Sequence, residues 1–252
     1  MSKKLAGTLF IHNSTTFDYC VVEAVQSLLE FCDKVFVVDA GSTDDTLIKL
    51  LSIENEKLEI IAKPHSDWVA MQGREKLSHF TNIAIRVAQQ QGYEYSFNCQ
   101  ADELLHEDSY EWVHRAINDN HEGYLITRVN LWGTPYHEIN VPYNRMPCSP
   151  QIVRLAKTHC RSVGDAESVA AVFNTDYVDK IRLYHMGFVR HKKEMVKKCN
   201  HIQKEVFLIE PDEKLKGMEI FEPEKWFAPE DLKPISEPLP KIIQKWAEER
   251  NY

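Results

Sequence analysis

Two acidic motifs in this sequence each lie directly after an apolar run. The run KVFVVD ends in Asp39, and the run YSFNCQA is followed by Asp102 and Glu103. Adjacent carboxylates at the end of a buried strand are costly unless a cation or hydrogen-bond donors compensate them. Such carboxylates accept hydrogen bonds from ligand hydroxyl and N–H groups, or coordinate a hard divalent cation that also binds phosphate oxygens. The sequence therefore places candidate ligand-binding chemistry at two strand ends.

Each motif also has a simpler structural explanation. Asp44 and Asp45 lie at the start of a predicted helix, where acidic residues commonly cap the helix without binding a ligand. The segment DELLHED can likewise be an acidic helix start with no metal. The functional interpretation is favoured because both motifs occupy equivalent places in one pattern of strands and helices.

Strands and helices alternate over the first hundred residues. Apolar and β-branched runs predict strands, and helical spacing or capping residues predict helices between them. The predicted strands are AGTLFIH, KVFVVDA, LEIIAKP and YEYSFNC, and the predicted helices are FDYCVVEAVQSLLEFC, STDDTLIKLLSI and REKLSHFTNIAIRVAQQQG. This alternation predicts an α/β fold whose mostly parallel sheet carries helices on both faces. Ligands bind at the carboxyl ends of the strands in such sheets, and Asp39 and Asp102 both lie there.

The pattern changes after residue 105. We predict a helix at YEWVHRAI, strands at GYLITRVNLWG, PQIVRLA and DKIRLYHMGF, a lysine-rich helix at HKKEMVKKCNHIQKEVFLI and a closing helix at PKIIQKWAEERNY. The segment TPYHEINVPYNRMPCSP reads as a long loop of the kind that builds binding surfaces. Aromatic side chains in and beside that loop either stack on a ligand ring or simply pack, and they are Trp132, Tyr136, His137 and Tyr143.

Bulk composition limits the possible function classes. The chain has 252 residues with 43% hydrophobic and 27% charged residues, which suits one large α/β domain or one domain with a small appendage. A formal net charge of -8 does not favour nucleic acid or an anionic membrane as partner. The six cysteines form no C-x-x-C pair, and no apolar run is long enough for a signal peptide or a membrane span. We therefore expect a cytoplasmic protein with reduced thiols, or one peripheral at the membrane.

Four motifs together carry a family resemblance. They are TLFIHN, the turn Asp39-Ala40-Gly41-Ser42-Thr43-Asp44-Asp45-Thr46, the helix segment TNIAI with Asn82, and Gln100-Ala101-Asp102-Glu103. Their order and spacing resemble the family 2 glycosyltransferases of the GT-A fold, most closely the lipopolysaccharide-core-type β-glycosyltransferases. The resemblance covers residues 5 to 105 and is weak beyond them. Three positions depart from the family pattern, because Gln100 and Ala40 stand where acids are usual and Ser14 stands where Glu often follows the Asn.

The resemblance implies a donor, a cofactor and a set of binding residues. The donor is a nucleotide diphosphate sugar, and the cofactor is Mn²⁺ or Mg²⁺. Gln100 cannot supply the missing negative charge, so the metal is expected to bind weakly or to be dispensable. The expected nucleotide-sugar-binding residues are His12, Asn13, Asp39, Gly41, Ser42, Asn82, Gln100, Asp102 and Arg190, and the expected metal ligands are Asp102 and His185. Arg190 or Lys192 would stabilise the departing diphosphate, although these residues can also form a solvated basic helix face and His185 can be a structural histidine.

The resemblance also implies inverting transfer to an acceptor hydroxyl with a carboxylate base. The candidates are Asp165 and Glu167 in SVGDAESV, followed by Glu103, although SVGDAESV can also be an acidic surface turn. We prefer Asp165, because Gly164 gives the backbone freedom to present it, whereas Glu167 precedes SVAAVF, which we expect to start a helix.

We divide the chain into a nucleotide-sugar-binding half at 1–110, an acceptor-binding half at 111–210 and a wrapping tail with a helix at 211–252. The acceptor is a glycan, a lipid-linked molecule or a small molecule.

Two other functions are weighed against this prediction. Gln100 and Ala40 also suit a non-catalytic module that binds sugar nucleotides or glycans on a degenerate GT-A scaffold. A nucleotidyltransferase is disfavoured, because LFIHNSTTFDY lacks the Gly-rich, basic loop that usually holds a triphosphate.

Overall fold

The computed structural model of this chain describes residues 3–170 and 174–252. The strands are β1 (Leu5–Ile11), β2 (Lys34–Asp39), β3 (Leu58–Ala62), β4 (Tyr95–Asn98), β5 (Glu103–Leu105), β6 (Gly123–Trp132), β7 (Thr134–Ile139), β8 (Gln151–Lys157), β9 (Arg161–Val163), β10 (Ser168–Ala170), β11 (Thr175–Phe188) and β12 (Leu232–Pro234). The helices are α1 (Val21–Phe31), α2 (Thr46–Leu51), α3 (His65–Val69), α4 (Glu75–Gln90), α5 (Tyr110–Asp119), α6 (Lys192–His201) and α7 (Lys241–Glu249).

One large sheet runs through the molecule. The strands β3, β2, β1 and β4 lie side by side and run parallel, as the alternation of strands and helices predicts. Strand β8 pairs antiparallel with β4 and is followed in the sheet by β6, β7 and β12. Strand β11 pairs parallel with β6 and antiparallel with the short β5. The C-terminal half therefore extends the sheet of the N-terminal half rather than building a separate one.

Helices cover both faces of the parallel strands, which confirms the predicted α/β architecture. Alternate residues of β2 point to opposite faces, so Val35 and Val37 join the core beneath α1, while Phe36 and Val38 join the core beneath α4. All four side chains are fully buried. Strands buried on both faces read as continuous apolar runs, which is why KVFVV is recognisable in the sequence.

The carboxyl ends of β1, β2 and β4 meet at one edge of the sheet. Ile11 of β1 lies opposite Asp39 of β2, and Thr8 of β1 lies opposite Asn98 of β4. The antiparallel pairing of β5 with β11 places Glu103 opposite His185 at the same edge. Residues that are far apart in the sequence therefore converge there.

The C-terminal half departs from two sequence predictions. The segment expected to be a long loop contains β7, and Trp132 just before it is buried against Phe188 and Phe227, with ring centroids 4.6 and 4.8 Å apart. Trp132 is therefore a core residue and not a sugar platform. The helix expected after Glu167 is also wrong, because Ser168–Ala170 form β10, which pairs with β9. The rest of that segment, residues 171–173, lies outside the described residues.

The lysine-rich helix α6 continues into a wider turn. Residues Ile202–Val206 form one turn of π-helix, in which the Phe207 N–H donates to the Ile202 carbonyl at 2.8 Å. Such turns insert an extra residue into a helix and frequently occur at functional sites.

No helix in the described part of the chain is both long enough and apolar enough to cross a membrane.

We predict that Gly41→Ala lowers the free energy of unfolding by more than about 1 kcal/mol. Gly41 has a φ of +78°, and an added Cβ would lie 2.5 Å from the backbone Cα of His65. Gly92→Ala is the matched control, because Gly92 has a φ of +81° but no heavy atom within 4 Å of an added Cβ. Urea unfolding of both variants separates the clash from the cost of a positive φ, and an equal loss in the two would show that the contact with His65 costs nothing.

Candidate functional site

A cavity of about 500 Å³ opens at the edge where the carboxyl ends of the parallel strands meet. Its walls come from the ends of β1 and β11, the segment after β4, the loop before β10, α6 and the π turn. Six of the residues predicted from sequence line it, namely His12, Gln100, Asp102, Asp165, Glu167 and His185. The cavity therefore brings together groups from both halves of the chain.

Asp102 lies against two cations at the inner wall of the cavity. Its Oδ2 accepts hydrogen bonds from Arg190 Nη2 and Lys198 Nζ, both at 3.1 Å. Burial alone would raise the pKa of Asp102, but the neighbouring cations outweigh it and hold that pKa well below its usual range. The ring of Tyr19 lies beneath both cations, 4.5 Å from the Arg190 guanidinium and 5.1 Å from Lys198 Nζ. Asp102 is therefore a compensated carboxylate.

His185 faces the other oxygen of Asp102. Its Nε2 lies 4.0 Å from Asp102 Oδ1, and its Nδ1 donates to Asn130 Oδ1 at 3.2 Å. Burial lowers the pKa of His185 to about 4, so the ring is neutral at pH 7. At 4.0 Å, the neutral ring therefore forms neither an ion pair nor a hydrogen bond with Asp102.

The expected metal ligands do not fit a divalent cation. Asp102 and His185 together supply one carboxylate and one imidazole. Among residues 3–170 and 174–252, no group of three or more His, Cys, Asp or Glu side chains is placed to hold a metal. Gln100 adds no charge, and two cations already bind Asp102 Oδ2. A divalent cation would have to enter against the charges of Arg190 and Lys198.

Glu103 is fully buried and does not line the cavity. Its Oε1 accepts a hydrogen bond from Arg154 Nη2 at 2.8 Å and lies 3.6 Å from Arg128 Nη1. Burial would raise the pKa of Glu103, but these arginines lower it. An acceptor hydroxyl cannot reach this carboxylate, so the geometry argues against Glu103 as the base and gives it a structural place.

The same two arginines hold the acidic loop that contains Asp165. Arg154 Nη1 donates to the Ala166 carbonyl at 2.8 Å, and Arg128 Nη1 donates to Glu167 Oε1 at 3.0 Å. Asp165 accepts a hydrogen bond from the Glu167 N–H at 3.3 Å, and within the described residues no cation lies within ion-pair distance of it. Of the two loop carboxylates, Glu167 is held by a charge and Asp165 remains available.

The turn after β2 is fixed by its own hydrogen bonds. Asp39 is only 2% exposed and accepts from the Ser42 N–H at 3.3 Å, while Asn13 Oδ1 accepts from the Thr43 N–H at 2.7 Å. The backbone N–H of Asn13 donates to Ser42 Oγ at 2.9 Å. None of Asn13, Asp39, Gly41 and Ser42 is among the described residues that line the cavity, so they shape the site from behind it.

Asn82 is also removed from the cavity. Its side-chain amide donates to the Ser162 carbonyl and accepts from the Ser162 N–H, both at 2.9 Å. The Asn82 amide thus pairs with the backbone of Ser162 as a neighbouring strand would, and this pair of hydrogen bonds joins α4 to β9. The geometry therefore gives Asn82 a structural role in place of the predicted contact with a nucleotide.

An aromatic group forms the far end of the cavity. His12 stacks on Trp68 with ring centroids 4.0 Å apart, and Phe17 stacks on His201 at 4.6 Å. His12 is buried, with only 8% of its surface exposed, yet within the described residues neither of its ring nitrogens has a hydrogen-bond partner. Burial and the nearby His65 lower the pKa of His12 to about 3, so the ring is neutral and offers both a donor and an acceptor.

Lys198 and Trp68 also line the cavity, and neither was predicted from sequence. The signal for Lys198 is its helical spacing from apolar residues, since Met195 lies three residues before it, Ile202 lies four residues after it, and both also line the cavity. A lysine in such a position needs a buried partner, which here is Asp102. Lys192, the predicted alternative, is exposed at the start of α6. For Trp68 the sequence holds no comparable signal.

No protein-family model and no curated protein matches this sequence significantly. Among solved structures, the chain is similar to Staphylococcus aureus TarS residues 1–349, with 14% identity, a TM-score of 0.45 and coverage of 79% of this chain and 64% of that one. It is also similar to glucosyl-3-phosphoglycerate synthase from Mycobacterium tuberculosis in complex with Mn²⁺, uridine diphosphate and phosphoglyceric acid. That match has 13% identity, a TM-score of 0.46 and coverage of 73% of this chain and 70% of the other. Similarities this low carry no argument about the family or activity of this chain.

We predict that Glu103→Gln lowers the free energy of unfolding by about 3–5 kcal/mol, because it leaves two buried arginines short of one charge. The control is Glu111→Gln, which removes an exposed partner of Arg115 and should cost less than about 1 kcal/mol. Urea unfolding at pH 7 measures both. Equal losses in the two variants would contradict the buried ion pairs described for Glu103.

We predict that His12→Phe makes stability less sensitive to acid. As the pH falls below about 6.5, the unfolded chain protonates this histidine. The folded chain does so only near its pKa of about 3. Stability is therefore complete above the unfolded pKa and is lost with falling pH, at up to about 1.4 kcal/mol per pH unit for one proton. Unfolding free energies measured from about pH 6 to pH 4 should fall less steeply in His12→Phe than in wild type or exposed His114→Phe. Identical slopes in all three would contradict this.

Proposed function

We propose that this chain is a GT-A glycosyltransferase that transfers a sugar from a nucleotide diphosphate sugar to an acceptor hydroxyl with inversion. The observation that carries the proposal is the composition of one cavity. It combines an apolar, aromatic end, a carboxylate compensated by cations and a second carboxylate on a loop. A nucleoside, a diphosphate and an acceptor hydroxyl require these three environments in one place.

The nucleobase occupies the aromatic end in this proposal. Trp68 and His12 line this end, and the ring nitrogens of His12, which have no hydrogen-bond partner among the described residues, offer one donor and one acceptor to a base edge. Gln100 also lines the cavity, and its amide can bind a ribose hydroxyl. Asp39 supports the floor of this subsite through the turn that it holds.

The diphosphate lies beside Lys198. The acceptor hydroxyl attacks the anomeric carbon from the side opposite the diphosphate, so a new C–O bond forms as the bond to the leaving phosphate oxygen breaks. Asp165 accepts the hydroxyl proton, and the positive charge at Lys198 stabilises the charge that develops on the leaving group. Positioning of both substrates in one enclosed cavity supplies a further part of the rate.

Incubation with a panel of nucleotide diphosphate sugars tests the proposal. Release of free nucleotide diphosphate from one donor, accelerated by an acceptor, is the expected result, with the heat-denatured protein as control. Stoichiometric binding of a donor without release, over a range of acceptors, would instead support a non-catalytic sugar-nucleotide module. Neither binding nor release with any donor would overturn the proposal.

We predict that Asp165→Asn lowers kcat for transfer by about 10²–10⁴-fold, since a general base contributes on that scale. The Kd for the donor should stay within about twofold, because the base contacts the acceptor. Glu167→Gln is the matched comparison, and we expect a smaller loss because Arg128 already binds that carboxylate. A crippled Glu167→Gln beside an active Asp165→Asn would identify Glu167 as the base. If neither variant loses tenfold, the base is elsewhere.

A further inference from the structure

We infer that Lys198, supported by Arg190, takes the place of a divalent cation in this site, so that the chain binds a diphosphate without metal. The inference rests on the proposed function for the identity of the ligand. It concerns the charge that compensates Asp102, for which the family resemblance implies a metal.

The charge balance around Asp102 favours an anion over a cation. Lys198 and Arg190 both contact Asp102 Oδ2 at 3.1 Å, so two cations lie against one carboxylate. One net positive charge therefore remains beside the cavity. A site that recruits a divalent cation through carboxylates needs the opposite sign of charge before the metal binds.

Lys198 has a hydrogen-bond donor left for a ligand. Its ammonium donates to Asp102 Oδ2 at 3.1 Å and to the Gly187 carbonyl at 2.7 Å, which uses two of three N–H groups. Lys198 lines the cavity and is only 9% exposed. A charge-assisted hydrogen bond made there is strong because little water screens it.

Arg190 acts behind Lys198 as a positioning residue. It donates to the Phe17 carbonyl at 2.6 Å and to the Gly187 carbonyl at 3.0 Å, which leaves it little freedom to turn toward a ligand. Arg190 and Lys198 both contact the Asp102 carboxylate, and both cations lie over the ring of Tyr19. Asp102 in this arrangement orients two cations and does not itself bind the ligand.

The test uses inorganic pyrophosphate, which needs no nucleobase or sugar. Isothermal titration in excess EDTA should show binding to wild type, and Lys198→Met should raise the Kd about 10- to 100-fold. Lys193→Met, which removes an exposed lysine of the same helix, should leave the Kd unchanged. Lys198→Arg keeps the charge and should restore binding to within a few-fold, which separates loss of charge from loss of folding. Pyrophosphate that binds only with Mn²⁺, or equally well to Lys198→Met, would overturn the inference.

A second arm separates this inference from the proposed function. With a donor that turns over, transfer in EDTA should equal transfer in Mn²⁺, and Asp102→Asn should still bind pyrophosphate without metal. Transfer that requires Mn²⁺ would leave the glycosyltransferase proposal intact and remove the metal-free mechanism. Lys198-dependent pyrophosphate binding in a protein that transfers no sugar would leave metal-free diphosphate binding intact and remove the glycosyltransferase proposal.

Discussion

The structure of the site depends on two adjacent buried carboxylates, Asp102 and Glu103, which form ion pairs with different cations. Asp102 faces the cavity and meets Arg190 and Lys198, whereas Glu103 faces away from it and meets Arg154 and Arg128. Each pairing offsets a desolvation cost that neither carboxylate would tolerate alone. Because the four cations come from three different regions of the chain, the neutralisation of these two acids joins β6, β8 and the segment from β11 to α6 at one point.

This arrangement couples the inner wall of the cavity to its acidic loop. The arginines that neutralise Glu103 also hold Ala166 and Glu167, so the position of the loop depends on a group that no ligand touches. Asp165 lies between two residues in the left-handed backbone region, with φ of +57° at Gly164 and +65° at Ala166. An alanine tolerates that conformation at a cost, and the contact from Arg154 to its carbonyl stabilises it.

Local patterns predicted the frame of this protein, and long-range pairings decided the roles of its residues. Apolar runs and helix caps located the parallel strands, so the carboxyl ends at Asp39 and Asp102 could be predicted as one edge. The partner of Asp102 could not, because Lys198 lies 96 residues away and reads as one of several lysines of a basic helix. Asn82 fits a family motif in sequence, yet its amide is used by the backbone of Ser162. Trp132 looked like a loop aromatic because the tail that buries it is far along the chain.

The cavity wall depends on the number of residues in the π turn at Ile202–Val206. Ile202 and Val206 both line the wall, and the turn that contains them holds one more residue than an α-helical turn. Loss of a single residue there would restore a regular helix but rotate everything after it by about 100° about the helix axis. A one-residue deletion in this stretch would therefore displace the lining residues Phe207 and Ile209, although the stretch borders the exposed Leu208.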